Sequence, residues 1–391
     1  MGKHRIKTTK KKILFITGSR GEWGYIRPIL KLIQKRSDVE YILVVTNMHL
    51  LPAYGNSYKE IERDGFKIHY KVNMSLDGYN HFTMVKSLAV LMTSLPDIIE
   101  NEKPHWILLS GDRGEQMVGA MVGGYTYTPV AHIQAGELSG NIDGMTRHAI
   151  GKYAHIHLAA NEDAARRLIK LGEEPFRVFN VGAPQLDELV NEQFSSKVSE
   201  LEKRYSIQLY LNGYILVVIH PITDEFKNND KQIKVVIDSL NTFDLPKILI
   251  MPNNDAGSIV VRDGINKYKS GKYHVFSNLG RKEYLGFLKN TKCIVGNSSS
   301  GLLEAPTYKI PAVNIGRRQY QRMRGVNVID VEYDYDEIVN GVKKALSKEF
   351  RELLDIKCVN PYGDGHSAEK ILNILLTTNI DDKVLIKYMT Y

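Results

Sequence analysis

The chain has 391 residues, 43% of them hydrophobic and 25% charged, so it is long enough for two domains that each bury a sizeable core. The formal net charge of +8 is concentrated in residues 1–12, which hold six Lys or Arg and no acidic residue. Because the rest of the chain is nearly neutral, the composition disfavours a nucleic-acid-binding protein, and we expect no nucleic-acid partner.

We interpret residues 1–12 as a basic, flexible tail. The apolar run that follows is too short for the core of a signal peptide, and the most apolar helical stretch, around residues 85–99, is interrupted by Lys86 and Pro96. We therefore expect no membrane span. The two cysteines lie outside any C-x-x-C pair, which indicates a reducing, cytoplasmic location without disulfides or a thiolate zinc site.

Short apolar runs alternate with amphipathic helical patterns along the chain. The first helical stripe consists of Ile26, Ile29, Leu30 and Ile33, spaced i, i+3, i+4 and i+7. The apolar runs predict strands in two groups, at 12–17, 41–46, 66–70, 106–110, 129–134, 156–160 and 177–181, and at 214–219, 247–251, 274–276, 292–295, 312–315 and 328–330.

The two groups of strands are separated by a pause near residues 182–184 and a charged helix predicted at 186–204. Alternation of strands and helices predicts parallel sheets with helices on both faces. We therefore predict an α/β fold of two Rossmann-like, doubly wound domains, at residues 13–183 and 184–365. The active site is expected in the cleft between them, because ligands bind beyond the carboxyl ends of parallel strands.

The first strand leads into ITGSRGEWGYIRPIL, residues 16–30, a glycine-containing loop at a helix N-terminus. Its glycines are not spaced G-x-G-x-x-G, and no G-K-[ST] follows. Backbone amides at such a position favour an anion, and Arg20 can add a bidentate contact to a phosphate. An ordinary strand-to-helix turn with a surface arginine is an equal alternative at this point.

Acidic residues follow the fourth and fifth predicted strands. Asp112, in LLSGDRGEQ, can cap the next helix or act as a base at the mouth of the cleft. The segment AHIQAGELSGNIDGMTRHAI adds Glu137, Asp143 and Arg147, and an Asp143–Arg147 pair at i, i+4 can also simply support a helix. Three carboxylates in one cleft repel one another and raise at least one pKa, which suits acid–base chemistry near neutral pH.

Histidines and amides at other strand ends are less specific. His220, in VVIHPITDE, titrates near neutrality and can protonate or orient a leaving group, although a structural histidine is about as common. Asn253 and Asp255, in MPNNDAGS, offer polar contacts. His155 and His157 lie two residues apart, but no third metal ligand is signalled nearby, so we expect core residues and no metal site.

The segment VGNSSSGLLEAP follows a strand of the second group. Its consecutive serines, Ser298, Ser299 and Ser300, offer hydroxyls and backbone amides to a diphosphate. Glu304 can accept both hydroxyls of a ribose. The alternative is a serine N-cap followed by a helical glutamate, although one serine is enough to cap a helix.

Together these segments resemble the hydrolysing UDP-N-acetylglucosamine 2-epimerases. GDRGEQ, AHIQAGELSGNIDGMTRHAI, HPITDE, NNDAGS and GNSSSGLLEAP stand in the order of that family, and the resemblance runs from about Ile13 to Ser367. It implies two domains of the glycosyltransferase-B type, with a last helix at 366–391 packing back on the first domain. It further implies a UDP-sugar substrate, UDP as product, no cofactor, and a homodimer or homotetramer.

The resemblance also implies roles for individual residues. The catalytic positions would be Asp112, Glu137, Asp143 and His220. The substrate-binding positions would be Arg20, Arg113, Arg147, Asn253, Ser298, Ser299, Ser300 and Glu304.

The reaction implied by the resemblance is the conversion of UDP-N-acetylglucosamine and water into N-acetylmannosamine and UDP, by elimination to a glycal and then hydration, for nonulosonic (sialic-type) acid biosynthesis. Two departures from the family lie near the expected sugar. The first loop reads G-S-R-G-E-W where the family more often has G-T-R-A-[DE]-Y, and the residues ending at Glu137 read Q-A-G-E where the family often has H-G-G-E.

Three alternatives stay open. The same reaction could act on UDP-N,N′-diacetylbacillosamine for legionaminic acid biosynthesis. A glycosyltransferase of the same fold would explain the nucleotide-binding groups but leaves Glu137, Asp143 and Arg147 without a clear role. A regulator that binds a nucleotide sugar without chemistry is disfavoured by the clustered carboxylates.

Overall fold

The computed structural model describes residues 10–78, 80–139, 142–191, 197–209, 213–222, 225, 228–252, 257–277 and 279–390. Residues 1–9, which form most of the predicted basic tail, lie outside this described part of the chain. Within it, the strands are β1 Lys11–Thr17, β2 Val39–Thr46, β3 Tyr70–Val72, β4 Trp106–Ser110, β5 Val130–Ala135, β6 Ile156–Ala159, β7 Val178–Asn180, β8 Ile215–Val218, β9 Lys247–Ile250, β10 Tyr273–Phe276, β11 Cys293–Gly296, β12 Ala312–Ile315 and β13 Val328–Val331.

These strands form two sheets in which every pair of neighbours is parallel. The order is β3-β2-β1-β4-β5-β6-β7 in the seven-stranded sheet and β10-β9-β8-β11-β12-β13 in the six-stranded sheet. Both orders reverse next to the first strand of their sheet, which is the topology of a doubly wound fold. The predicted α/β architecture of two such domains is confirmed.

The helices lie between the strands. They are α1 Arg20–Gln34, α2 Tyr58–Arg63, α3 His81–Glu102, α4 Gly114–Tyr125, α5 Ile142–Tyr153, α6 Glu162–Lys170, α7 Gln185–Asn191, α8 Val198–Tyr205, α9 Asn229–Asn241, α10 Ser258–Tyr268, α11 Arg281–Asn290, α12 Ser300–Leu303, α13 Tyr335–Leu346, α14 Lys348–Lys357, α15 Ser367–Thr377 and α16 Asp382–Leu385.

Every predicted strand has a counterpart, and all but the third agree within two residues at each end. The third was expected at 66–70, but β3 begins only at Tyr70. Phe66 is buried because its ring packs edge-on against Trp23, with centroids 5.2 Å apart, in the core under the sheet. The apolar run at 66–70 therefore reflects residues that pack into the core before β3 begins, as well as the start of the strand itself.

The single charged helix predicted at 186–204 is wrong, because the chain forms α7 and α8 there and is extended at Lys197. The acidic residues of α7 are buried partners. Asp187 accepts hydrogen bonds from the backbone amides of Ser367 and Ala368 at the start of α15. Glu188 forms an ion pair with Arg27 of α1 at 2.6 Å. The acidic residues of α7 thus pair with buried groups at the junction of the two sheets.

The C-terminal helix α15 returns to the first sheet. It packs on α1, and the indole of Trp106 in β4 donates a hydrogen bond to the carbonyl of Leu375 at 3.0 Å. Ile371, Leu372 and Leu375 belong to the same buried cluster as the strands of that sheet. The limits proposed for the two domains, 13–183 and 184–365 with 366–391 added to the first, stay a prediction.

Helix α3 is the one described helix that is long and apolar enough to cross a membrane, with a mean hydropathy of 1.4 over 18 residues. The expectation that Lys86 and Pro96 exclude a span by composition is therefore wrong. Core helices of soluble proteins have the same length and composition. Here Leu91, Leu95 and Ile99 are buried in the cluster that covers one face of the seven-stranded sheet.

A buried ion pair joins the two sheets at the carboxyl ends of their strands. Nε of Arg322, in the loop between β12 and β13, donates to Oε2 of Glu137 at 3.0 Å, beyond β5. Tyr362 donates to the same oxygen, and Asn161 donates to Oε1. Burial alone lowers the pKa of Arg322, but Glu137 and its other neighbours outweigh it and raise this pKa. Both partners are more than nine-tenths buried, so each charge depends on the other.

Replacing Arg322 with Met should leave the Glu137 carboxylate buried without its cation, and we expect urea unfolding to show a loss of about 3–5 kcal/mol. The double variant Arg322→Met/Glu137→Gln should recover much of that loss, because a neutral amide is cheaper to bury. Arg36→Met is the matched control: its ion pair with Asp38 is exposed, so its loss should stay under about 1 kcal/mol. Equal losses for the two single variants would contradict a special role for the Arg322–Glu137 pair.

Candidate active site

The loop after β1 is organised by a capping box. Ser19 is the N-cap of α1, its hydroxyl accepts from the amide of Glu22, and Oε2 of Glu22 accepts from the amide of Ser19 at 2.9 Å and also from that of Gly18. Nε2 of the Gln116 side chain, on α4, donates to Oε1 of Glu22 at 2.9 Å. Glu22 is thus an internal brace of the loop, which explains an acidic residue in a segment expected to bind phosphate.

Arg20 lines a cavity between the two sheets. One of its terminal nitrogens donates to the carbonyl of Tyr54 at 3.1 Å, while its buried Nε has no hydrogen-bond partner among the described residues. Burial lowers the pKa of Arg20 to about 10, with Glu60 acting in the opposite direction, so the guanidinium is still a cation at neutral pH. A buried cationic donor facing a cavity is suited to an anionic ligand.

Asp112 follows β4 and lines the same cavity. Its Oδ2 pairs with Arg147 of α5, whose other terminal nitrogen donates to the carbonyl of Gln134 at 2.8 Å. The alternative in which Asp112 caps the next helix is wrong, because Arg113 occupies the N-cap position of α4. Burial would raise the pKa of Asp112, but Arg147, Arg322 and Arg318 together outweigh it and lower this pKa. Asp112 is therefore a carboxylate at neutral pH.

The raised carboxyl pKa expected in the cleft does occur, but it belongs to Glu22. Burial is the main cause, and the neighbouring carboxylate of Glu115 adds to it. Of the three clustered acids, Asp112 and Asp143 line the cavity, whereas Glu137 lies behind it in the contact with Arg322. The three acids are therefore not equivalent, because Asp112 is paired with Arg147 and Glu137 is paired with Arg322.

The loops of the second sheet meet the first across the cavity. The side-chain amide of Asn297, after β11, brackets the end of β8: its Oδ1 accepts from the amide of His220 and its Nδ2 donates to the carbonyl of His220, both at 2.8 Å. Asn297 is fully buried, and His220 lines the cavity. This bracket holds the backbone of His220 in one place opposite Arg20 and Asp112.

Ser298, Ser299, Ser300 and Glu304 all line the cavity. The hydroxyl of Ser300 already accepts from Tyr284 and donates to Oε2 of Glu304. The helix that follows, α12, has four residues, so the expected contribution of a long helix dipole is small, and the hydroxyls and amides of the loop matter more. Asn253 and Asp255 lie outside the described residues.

Several residues of the site were missed by the sequence analysis. Arg281 pairs with Oε1 of Glu304 at 2.5 Å, and its backbone amide donates to Oε1 of Glu60, on α2, at 2.9 Å. Tyr25 and Arg318 also line the cavity, and Arg322 lies behind it. The sequence did contain a signal for Arg318 and Arg322, because both belong to the arginine-rich run 317–324 that closely follows the end of β12 at Ile315.

The two histidines considered as metal ligands serve the core. Nδ1 of His155 accepts from the amide of Val130 at 3.0 Å, and Nε2 of His157 lies 2.9 Å from a carboxylate oxygen of Glu173. Throughout the described ranges, no group of three or more His, Cys, Asp or Glu is placed to hold a metal ion.

Of the predicted site residues, the structure brings most to the wall of one cavity. These are Arg20, Asp112, Arg113 and Asp143 from the first sheet and His220, Ser298, Ser299, Ser300 and Glu304 from the second. Glu137 and Arg147 lie directly behind the wall, bound to Arg322 and Asp112. Met251, Pro252 and Leu279 add an apolar part to the same cavity. The site thus combines arginines, a carboxylate and an apolar slot, which suits a nucleotide with phosphates.

Comparison with known proteins shows which family the chain resembles over most of its length. A protein of Legionella pneumophila named UDP-N,N′-diacetylbacillosamine 2-epimerase (hydrolyzing) is 35% identical over 382 residues, 97% of this chain and 100% of its own length. A UDP-N-acetylglucosamine 2-epimerase of Neisseria meningitidis is 34% identical over 337 residues, 86% of this chain and 88% of its own.

The fold is shared with a crystal structure of a UDP-GlcNAc 2-epimerase from Neisseria meningitidis bound to UDP-GlcNAc. The two superpose with a TM-score of 0.79 at 18% identity, over 94% of this chain and 100% of the other. The family model for UDP-N-acetylglucosamine 2-epimerase matches residues 31–376. The chain therefore belongs to the UDP-N-acetylglucosamine 2-epimerase family.

Proposed function

We propose that the protein is a hydrolysing UDP-sugar 2-epimerase that converts UDP-N-acetylglucosamine and water into N-acetylmannosamine and UDP, for nonulosonic acid biosynthesis. The observation that carries this proposal is the ionised carboxylate of Asp112, held by Arg147 in a cavity that also contains Arg20 and the serine loop. A base and a phosphate-binding surface within one cavity are what removal of a proton beside a departing diphosphate requires.

The diphosphate would lie between the two sheets. Arg20 offers its buried Nε, and Ser298 and Ser299 offer hydroxyls from the opposite wall. Arg318 and Arg113 add positive charge near Asp112. These side chains can neutralise the leaving group without a metal ion, and because elimination followed by hydration causes no net oxidation or reduction, the reaction needs no redox cofactor.

In the proposed reaction Asp112 takes the proton from C2 of the sugar while the bond between C1 and the phosphate oxygen breaks. The electron pair of the C2–H bond forms the double bond of the glycal, and UDP leaves with the electrons of the C1–O bond. An arginine-paired carboxylate is a weak base, so cleavage of C1–O must lead and make the C2 proton more acidic. His220, on the other wall, would assist the departure of UDP.

Hydration completes the reaction. Water adds to C1, and a proton reaches C2 from the face opposite Asp112, which inverts that centre. Asp143 lines the cavity and is the first candidate for this proton transfer, and Glu137, which is paired with Arg322, is the second. Arg147 holds Asp112 and the carbonyl of Gln134, and would keep the base oriented through both steps.

The main alternative to this proposal is the same reaction on a different UDP-sugar. Relatives named for UDP-N,N′-diacetylbacillosamine and for UDP-N-acetylglucosamine are almost equally similar, at 35% and 34% identity. The same residues could therefore act on the diacetylated sugar in legionaminic acid biosynthesis. A glycosyltransferase of this fold is less well supported, since transfer to an acceptor gives no role to an ionised carboxylate held by Arg147.

We also propose that the enzyme is cytoplasmic and works as a homodimer or homotetramer. An apolar stripe on the outer side of α3 supports an interface between copies. Phe82 is 81% exposed and Val85 68% exposed, and the exposed Ala89 continues the stripe at spacings of three and four residues. Such spacing suits a pairing with a second helix, and exposure of this much apolar surface favours association.

Proton NMR in deuterated water tests the reaction. With either UDP-sugar and no acceptor or added metal, we expect UDP and a free manno-configured sugar that carries deuterium at C2. The relative rates on the two UDP-sugars identify the preferred substrate. Release of UDP without exchange at C2 would contradict the epimerase, and turnover only with an added acceptor would indicate a glycosyltransferase.

Asp112→Asn should lower kcat by about 10²–10⁴-fold, because the amide cannot accept the C2 proton. The dissociation constant for UDP should change less than about threefold, since the carboxylate makes no favourable contact with the diphosphate. Asp97→Asn, an exposed position on α3, is the control and should behave as wild type. Normal C2 exchange in the Asp112 variant would assign the base elsewhere, and Asp143→Asn would then be compared.

Light scattering after size-exclusion chromatography tests the interface. Wild type should be larger than the 44.4 kDa of a single chain, and the variant Phe82→Glu/Val85→Glu should approach that mass, because like charges would meet across a symmetric contact. Lys231→Glu changes an exposed residue of α9, outside α3, and should keep the wild-type mass. An unchanged oligomer in the double variant would place the interface elsewhere.

A further inference from the structure

Helix α1 lines the cavity with Arg20, Glu22 and Trp23 and also with two glycines. Gly21, Gly24 and Tyr25, spaced i, i+3 and i+4, all line it, and the two glycines have no side chains there. The glycines allow a ligand to approach the helix backbone closely. Of these three residues, Tyr25 is the one whose side chain can contact a ligand in the cavity.

The ring of Tyr25 lies against the end of β4. A Cβ built at Gly111 would be 3.4 Å from Cε2 of Tyr25, and Gly111 has a φ of +84°, which a side chain rarely adopts. Gly111 immediately precedes Asp112, so its backbone forms the surface on which the ring rests. The ring thus lies next to the backbone that leads into the residue proposed as the base.

The charged groups that act on the Tyr25 hydroxyl come from both sheets. They are Asp112 and Arg147 from the first sheet and Glu304 and Arg322 from the second. In the proposed function Asp112 works at the sugar and Glu304 at the ribose. The part of a UDP-sugar that lies between sugar and ribose is its diphosphate, and Tyr25 lines the same cavity as Arg20, Ser298 and Ser299, the side chains proposed to bind that diphosphate.

We propose that Tyr25 contacts the substrate and donates its phenolic hydrogen bond to the β-phosphate oxygen that leaves C1. This inference rests on the proposed function and assigns a residue that neither the motifs nor the resemblance singled out. Burial raises the pKa of Tyr25 to about 12, with Arg322 and Arg147 opposing and Asp112 and Glu304 adding to the rise. The phenol therefore keeps its proton at working pH and acts only as a donor toward an anionic oxygen.

The hydrogen bond of Tyr25 gains strength as the reaction proceeds. When the C1–O bond breaks, its electron pair goes to the β-phosphate oxygen, Asp112 takes the C2 proton, and the C1–C2 double bond forms; the phenol transfers no proton. The bridging oxygen of the bound UDP-sugar carries little charge, whereas the departing oxygen becomes part of the terminal phosphate of UDP. A donor aimed at this atom therefore stabilises the transition state and the product UDP more than the bound substrate.

The test is Tyr25→Phe, which keeps the ring on Gly111 and removes only the hydroxyl. We expect kcat to fall about 10–100-fold while KM for the UDP-sugar changes less than about twofold. The inhibition constant of UDP should weaken about 5–10-fold, because the terminal phosphate of UDP carries an additional charge near pH 7. Tyr388→Phe, at an exposed tyrosine near the end of the chain, is the matched control and should leave all three constants unchanged.

Measuring kcat, KM and the inhibition constant of UDP distinguishes failure of this inference from failure of the proposed function. KM and the UDP inhibition constant do not depend on how much of the variant is folded, so a folding defect cannot imitate their divergence. If KM and the UDP inhibition constant weaken equally, Tyr25 is a general packing residue and the inference is overturned. A wild-type kcat in the variant would also overturn it. If the wild-type protein binds UDP but neither hydrolyses the UDP-sugar nor exchanges C2, the proposed function fails instead.

Discussion

The ion pair between Arg322 and Glu137 is the contact on which the cavity most depends. It joins a loop of the six-stranded sheet to the end of β5 in the seven-stranded sheet, and both side chains are buried. Charges removed from water must remain paired, so the two sheets are held at a separation that leaves room for a ligand between their strand ends. Tyr362, close to α15, donates to the same carboxylate and ties the returning C-terminal segment to this contact.

Around this contact the arginines control the protonation of the acids. Asp112 is buried enough to favour the neutral form, yet three arginines reverse that tendency. At Glu22, burial and the charge of Glu115 outweigh the opposing effect of Arg113, so the pKa of Glu22 rises. Two carboxyl groups within one site therefore have opposite shifts for a simple electrostatic reason. This difference favours Asp112 as the proton acceptor and Glu22 as a structural brace.

Each loop at the cavity is held by a partner from a neighbouring element. Glu22 braces the first loop through backbone amides, Asn297 brackets the backbone of His220, and Arg281 joins Glu304 to the first sheet's side of the cleft through Glu60. Because these bonds are made by the protein itself, the polar groups are already oriented before a ligand binds. Such preorganisation lowers the cost of aligning charged groups at the moment of reaction.

The sequence by itself determined the strands, the doubly wound class and most of the cavity wall, because apolar alternation and polar strand ends are local signals. The helix 186–204 was predicted wrongly, since the burial of Asp187 and Glu188 depends on Ser367 and Arg27, which are distant in the chain. Only the tertiary structure could pair Arg147 with Asp112 and Arg322 with Glu137. Spacing along a chain shows which residues share an element, whereas the partner of a buried charge is decided by how separate elements pack.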